Sequence, residues 1–126
     1  MDLPSNLTPT AMSVKLNPQA VSYAKRLIQE GKVLHDEGHW GEHNPDSKAE
    51  NAYLEKHEYG EYGNWHLGLD AEAGEDTKGR YKFPIGDFQK IHRDGLIAAK
   101  ERAAQQGYHD IEQAADKLLQ LVDNKQ

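Results

Sequence analysis

Trp65-His66-Leu67-Gly68-Leu69 and, further on, Tyr81-Lys82-Phe83-Pro84-Ile85 are the two stretches whose reading decides the fold. In each, large apolar side chains alternate with polar or small ones, which is the period of a strand with one buried face. Together they predict a β-hairpin. Its connection, Asp70 to Gly79, is acidic and too long for a tight turn. Pro84, lacking an amide proton, confines the second strand to an edge or ends it early.

Outward from the hairpin the period becomes helical. Asn17-Pro18 offers an N-cap followed by proline at the first helical position, and Ala20, Val21, Ala24, Leu27 and Ile28 recur on one face until Gly31. Residues 32–44, rich in Gly, His and acids with Trp40 as the one large apolar side chain, read as an ordered loop. Ser47 and Glu50 have capping-box spacing, which predicts a helix from Lys48 to Glu58 that buries Ala49, Ala52 and Tyr53 and ends at Gly60 and Gly63. Beyond the hairpin, Asp87 reads as the cap of a helix whose stripe is Phe88, Ile91, Leu96, Ala99 and Ala103, with Gly95 as a kink. After Gly107 a last helix starts at His109 or Asp110 and turns Ile111, Ala114, Ala115, Leu118 and Val122 inward. The short turn between these two helices predicts an αα-hairpin.

The expected fold class is therefore α+β, mainly helical, with about four helices and one small β-hairpin. The expected organisation is a flexible N-terminal arm at 1–16, a single globular domain at 17–123 and a disordered tail at 124–126. The arm reading rests on Pro4, Pro9 and scattered Ser, Thr and Asn without an apolar period.

Composition narrows the function classes. With no cysteine, a disulfide framework, a thiolate metal site and a Cys nucleophile are excluded. No apolar run approaches the roughly 18 residues needed to cross a bilayer, and the N-terminus lacks a secretory pattern, so no membrane partner and a cytoplasmic location are expected. The net charge of -6 conceals an asymmetry. Glu30 to Asp76 holds thirteen acids against Lys32, Lys48 and Lys56, whereas Lys78 to Arg102 holds seven bases against three acids. Either the two halves neutralise each other on folding, or they leave a basic face for an anionic partner or for self-association.

Three constellations carry candidate chemistry. His35, His39 and His43 recur every four residues with Glu37 and Glu42 between them, a donor set suited to a divalent metal such as zinc. Gly38 and Gly41 oppose the helix that would align them, so no cofactor is the leading expectation. Lys78, Arg80, Lys82, Lys90 and Arg93 are candidate contacts to an anion or nucleic acid, with Trp65, Tyr81 and Phe83 as interleaved aromatics. The acids Asp70, Glu72, Glu75 and Asp76 fail the calcium-loop pattern, because Glu75 stands where the loop needs glycine. No nucleotide-binding or hydrolase motif occurs.

Tyr81-Lys82-Phe83-Pro84-Ile85-Gly86-Asp87 and the Ala-rich, His- and Arg-containing segment after it resemble a small bacterial and bacteriophage domain family marked by Tyr-x-[Phe/Tyr]-Pro-x-x-Asp. The resemblance runs from Tyr81 to Leu119 and takes in Trp40, His43, Glu50-Asn51 and Trp65-x-Leu-Gly, with His92-Arg93 about one residue out of register. It implies a signature cluster of Tyr81, Pro84, Asp87, His92 and Arg93, and no activity comes with it. Some members of that family accompany phage head and protease proteins. The resemblance and the charge reversal together lead to the expectation of a non-enzymatic protein-interaction or assembly domain, with a protein partner or a second copy of the chain. The alternatives are a metal-dependent enzyme built on the His35 loop and nucleic-acid binding through 78–102.

Overall fold

Proline at the first helical position and an apolar stripe at helical spacing start the architecture at α1, Pro18–Gln29, whose buried residues are Ala20, Ala24, Leu27 and Ile28. The computed structural model describes residues 14–35, 40 and 44–124. Among these, the α+β, mainly helical class is observed. Four further helices follow: α2 Ser47–Leu54, α3 Tyr59–Gly63, α4 Arg93–Gln106 and α5 His109–Asn124. The strands are β1 Val14–Leu16, β2 Val33–Leu34, β3 His66–Asp70, β4 Tyr81–Pro84 and β5 Ile91–His92.

The hairpin is present. β3 and β4 run antiparallel with His66 opposite Pro84 and Gly68 opposite Lys82, and Pro84 is the last residue of its strand. The sheet is larger than the hairpin, because β1 pairs antiparallel with the other edge of β3 and gives the order β1-β3-β4. Val14, Lys15 and Leu16, which the sequence placed in the flexible arm, are therefore structured. Three residues are too few to show a period. A second, two-stranded sheet joins β2 to β5 in parallel, so the 32–44 segment is not wholly loop.

Local chemistry shifts three other boundaries. α2 is capped by Asp46, whose side chain accepts the Ala49 amide, instead of by Ser47. It ends at Leu54, leaves Ala49 and Ala52 exposed, and buries part of Tyr53. Gly60 and Gly63 do not terminate it; they lie in α3, where Glu58 and Glu61 form a capping box. Asp87 does not cap a helix, since α4 begins at Arg93 and Phe88 takes a left-handed φ of 69°. At the C-terminus, α5 continues through Asn124, one residue into the expected tail.

α4 and α5 form the predicted helical hairpin. Gly107, with φ 82°, closes α4 while the Tyr108 amide donates to the Ala103 carbonyl and the Gly107 amide to the Ala104 carbonyl, a Schellman arrangement that requires the left-handed glycine. Leu96, Ala99 and Ala103 from α4 and Ile111, Ala115, Leu118 and Val122 from α5 meet α1 and the sheet in one core with Trp65, Leu67, Ile85 and Ile91.

Asn17 joins the N-terminal half to the sheet. Buried at the start of α1, it spends no side-chain bond on capping; its Nδ2 donates to the Gly63 carbonyl at 3.0 Å and the His66 carbonyl at 3.2 Å, and its amide donates to Leu67 at 2.8 Å. Replacing Asn17 by Ala strips the partner from two carbonyls, and we expect a loss of about 1–3 kcal/mol in urea denaturation. An unchanged urea midpoint would show that the side chain does not tie α1 to the sheet.

Candidate functional site

The two stretches singled out separately in the sequence, the His35 loop and the Tyr81 to Gly95 junction, meet at the start of α4. Parallel pairing sets Leu34 beside His92, and the Ile91 amide donates to the Lys32 carbonyl at 3.0 Å. Trp40 completes the join. Its amide donates to Asp94 Oδ2 at 3.0 Å, and its ring lies 5.2 Å from that of His92. Gly95 makes this approach possible, since a Cβ there would stand 3.2 Å from both Trp40 Cζ2 and Ile85 Cα. Gly95 is thus a packing glycine in an unbroken helix, where the sequence suggested a kink.

At the centre, His92 Nε2 donates to Asp87 Oδ2 at 2.9 Å, with the His92 side chain only 3% exposed. The other Asp87 oxygen accepts the amides of Gln89 and Lys90 at 3.0 and 2.8 Å. Burial works to raise the Asp87 pKa, but the hydrogen bonds from His92, Lys90 and Gln89 outweigh it and hold the carboxyl below its ordinary value. A carboxylate orienting an imidazole has the form of an acid/base pair. Here, however, the imidazole is closed off from solvent, and the pair holds the 86–91 turn in place.

The other sequence candidates disperse. Of the signature cluster, Asp87 and His92 touch, and Pro84 sits opposite His66. Tyr81 packs where Gly63 leaves room for its ring, against Tyr62 and His66. Arg93 forks onto Asp123, with Nε and Nη2 donating at 2.8 and 3.2 Å. His35 is exposed; after Arg93, its charge adds to the interactions that hold the Asp123 carboxyl below its ordinary value. His39, His43, Glu37 and Glu42 lie outside the described residues. Among the described residues, no three His, Asp or Glu side chains gather to hold a metal.

Within the basic set, Lys78 pairs with Glu50 at 3.3 Å, and Arg80 crosses the acidic connection to donate to the Ala73 carbonyl at 2.9 Å. Lys82 and Lys90 are left exposed. Trp65 and Phe83 are buried, so neither offers a face on which a base could stack.

Sequence reasoning missed His66. The alternation placed it on the solvent face of the hairpin, yet it is 4% exposed among Tyr62 and Tyr81, and its Nδ1 donates to the Tyr62 carbonyl at 3.0 Å. Only the aromatic richness of 53–65 hinted that the outer face would also be covered. Burial lowers the His66 pKa to about 4, against the opposing pull of the Tyr62 carbonyl. Burial, followed by the Glu50 carboxylate, raises that of Tyr62.

Sequence reasoning counted Arg102 among the seven bases of 78–102 without singling it out as a contact. It lines a cavity of about 440 Å³ with Lys82, Phe83, Val14, Asp70, Glu72 and Gln106. Heptad-scale spacing cannot bring a strand lysine and a helix arginine together; only the tertiary fold does.

Comparison with protein-family models, with curated proteins and with solved structures found no match to this chain.

The His66 site sets a pH dependence. Between its folded value of about 4 and its ordinary 6.5, the unfolded chain binds a proton that the folded chain refuses. Stability is therefore complete above this window and declines as pH falls through it, by up to about 1.4 kcal/mol per pH unit. Urea midpoints measured across this range should show that slope, and His66→Phe should flatten it. A flat profile for the unaltered chain would refute the assignment.

Proposed function

We propose that this chain is a non-enzymatic protein-interaction domain, of the bacterial or phage-related kind its sequence resembles, that works in the cytoplasm by assembling with a second copy of itself. The observation that supports this reading is that, among the described residues, many acids of the middle segment and several bases of the segment after it stay exposed. Between described residues, one ion pair, Lys78 to Glu50, joins the acidic middle to the basic segment. Lys100 pairs with Asp116 on α5 at 2.8 Å, and Arg93 pairs with Asp123.

Asp46, Glu55, Glu58, Glu61, Glu72, Glu75 and Asp76 all remain exposed, as do Lys82, Lys90 and Arg102. Exposed charges of both signs on one molecule attract the opposite charges of another copy, and they do so at a range that salt shortens to about 10 Å at 0.1 M. Copies of net charge -6 without exposed bases would only repel. The acidic surface nearest to hand for the exposed bases is thus the chain's own middle segment.

Light scattering across a salt series tests the reading. At low salt the mass should exceed that of the monomer and fall toward it as salt rises, and Lys82→Glu combined with Lys90→Glu should remove the excess mass. A strict monomer at every salt concentration would sink the proposal.

A further inference from the structure

We infer that the cavity between the end of the three-stranded sheet and α4 binds a small zwitterion with an apolar portion, for which an α-amino acid with an apolar side chain is the simplest form. The sheet contributes Val14, Asp70, Glu72, Lys82 and Phe83, and the helix contributes Arg102 and Gln106. The volume, about 440 Å³, is in the range of small-molecule sites.

Three features converge on that class of ligand. The first is charge of both signs around one space. Lys82 and Arg102 supply donors and Asp70 and Glu72 supply acceptors, yet among the described residues no ion pair joins either cation to either acid. The Asp70 Oδ1 atom is engaged by the Glu72 amide at 3.0 Å, which turns the chain so that both acids reach the same cavity. A ligand of one sign would gain from one pair and be repelled by the other, whereas a zwitterion complements both.

The second feature is an apolar floor. Phe83 is 7% exposed and lies where a Gly68 Cβ would come within 2.7 Å of its ring, with Val14 Cγ1 at 3.3 Å from the same point. The third is strain. Phe83 holds a φ of 62°, in a region that non-glycine residues seldom enter, and it does so inside a strand. That conformation brings the ring across to Gly68. Strained residues of this kind concentrate at binding sites, where the surrounding structure holds them in place.

Titration of the full chain with leucine and phenylalanine, followed by amide NMR shifts, tests this directly. Saturable shifts are expected at Val14, Phe83, Arg102 and Gln106. The matching acid without the amine and the matching amine without the acid should each bind at least about tenfold more weakly. Arg102→Gln and Asp70→Asn should each cost a similar factor; Arg102 is exposed and Asn keeps the acceptor for the Glu72 amide, so both variants fold. Lys117→Gln on α5, away from the cavity, should change nothing. Absence of saturable binding at millimolar concentration overturns the inference. Equal binding by a single-charge analogue overturns it too.

Discussion

The Asp87 carboxylate accepts three hydrogen bonds, two from the backbone of the turn that follows it and one from the His92 ring. Much of the molecule depends on that one group. The turn bonds bend the chain back so that Gly86 bridges to Ile91 and the Asp87 amide reaches the Lys90 carbonyl. With the turn closed, Ile91 and His92 are free to pair with β2 in place of continuing as helix, and α4 starts only at Arg93. The His92 ring, fixed from one side, then becomes the surface on which Trp40 rests. A buried imidazole without a partner would be costly, and the partly exposed Asp87 carboxylate supplies that partner.

This arrangement explains why the most chemically suggestive pair in the chain is read as architecture. Acid/base work needs the imidazole within reach of a substrate proton, and a side chain 3% exposed beneath a tryptophan does not offer that reach. The same reasoning separates His66, which is buried as the neutral ring among tyrosines and matters to stability and pH dependence. The open chemistry lies elsewhere, on the exposed acids and bases.

What was legible in the sequence is what periodicity encodes. The inward faces of α1 and α5, the hairpin and the Gly107 turn follow from spacing alone, because each depends on residues near one another in the chain. The misplaced parts depend on distant ones. β1 and β2 are too short to carry a period and exist because β3 and β5 offer edges. Asp87 in front of an Ala-rich run satisfies the rules for a helix cap, and the turn its own carboxylate closes, together with the aromatic seat taken by Phe88, diverts it. The same division runs through this stretch: Asp87 and His92, five residues apart, meet locally, while Arg93 reaches Asp123 on the far helix.

Phe83 and Phe88, the two non-glycine residues with positive φ among those described, bracket the β4 to β5 junction. Each conformation costs on the order of 1–3 kcal/mol, so each needs something that holds it. For Phe88 the restraint is visible: its ring stacks on Tyr53 at 4.5 Å and meets Tyr62 and Trp65 at 5.7 and 6.0 Å, an aromatic cluster that an extended or helical backbone at 88 would empty. Phe83 is buried in the core, with an edge contact to Tyr108 at 6.0 Å and its ring over Gly68. Burial of a large ring offsets about 1.5–3 kcal/mol, which roughly balances the strain and leaves little over. The ring of this strand residue thus serves two surfaces at once, the core it packs in and the cavity it lines.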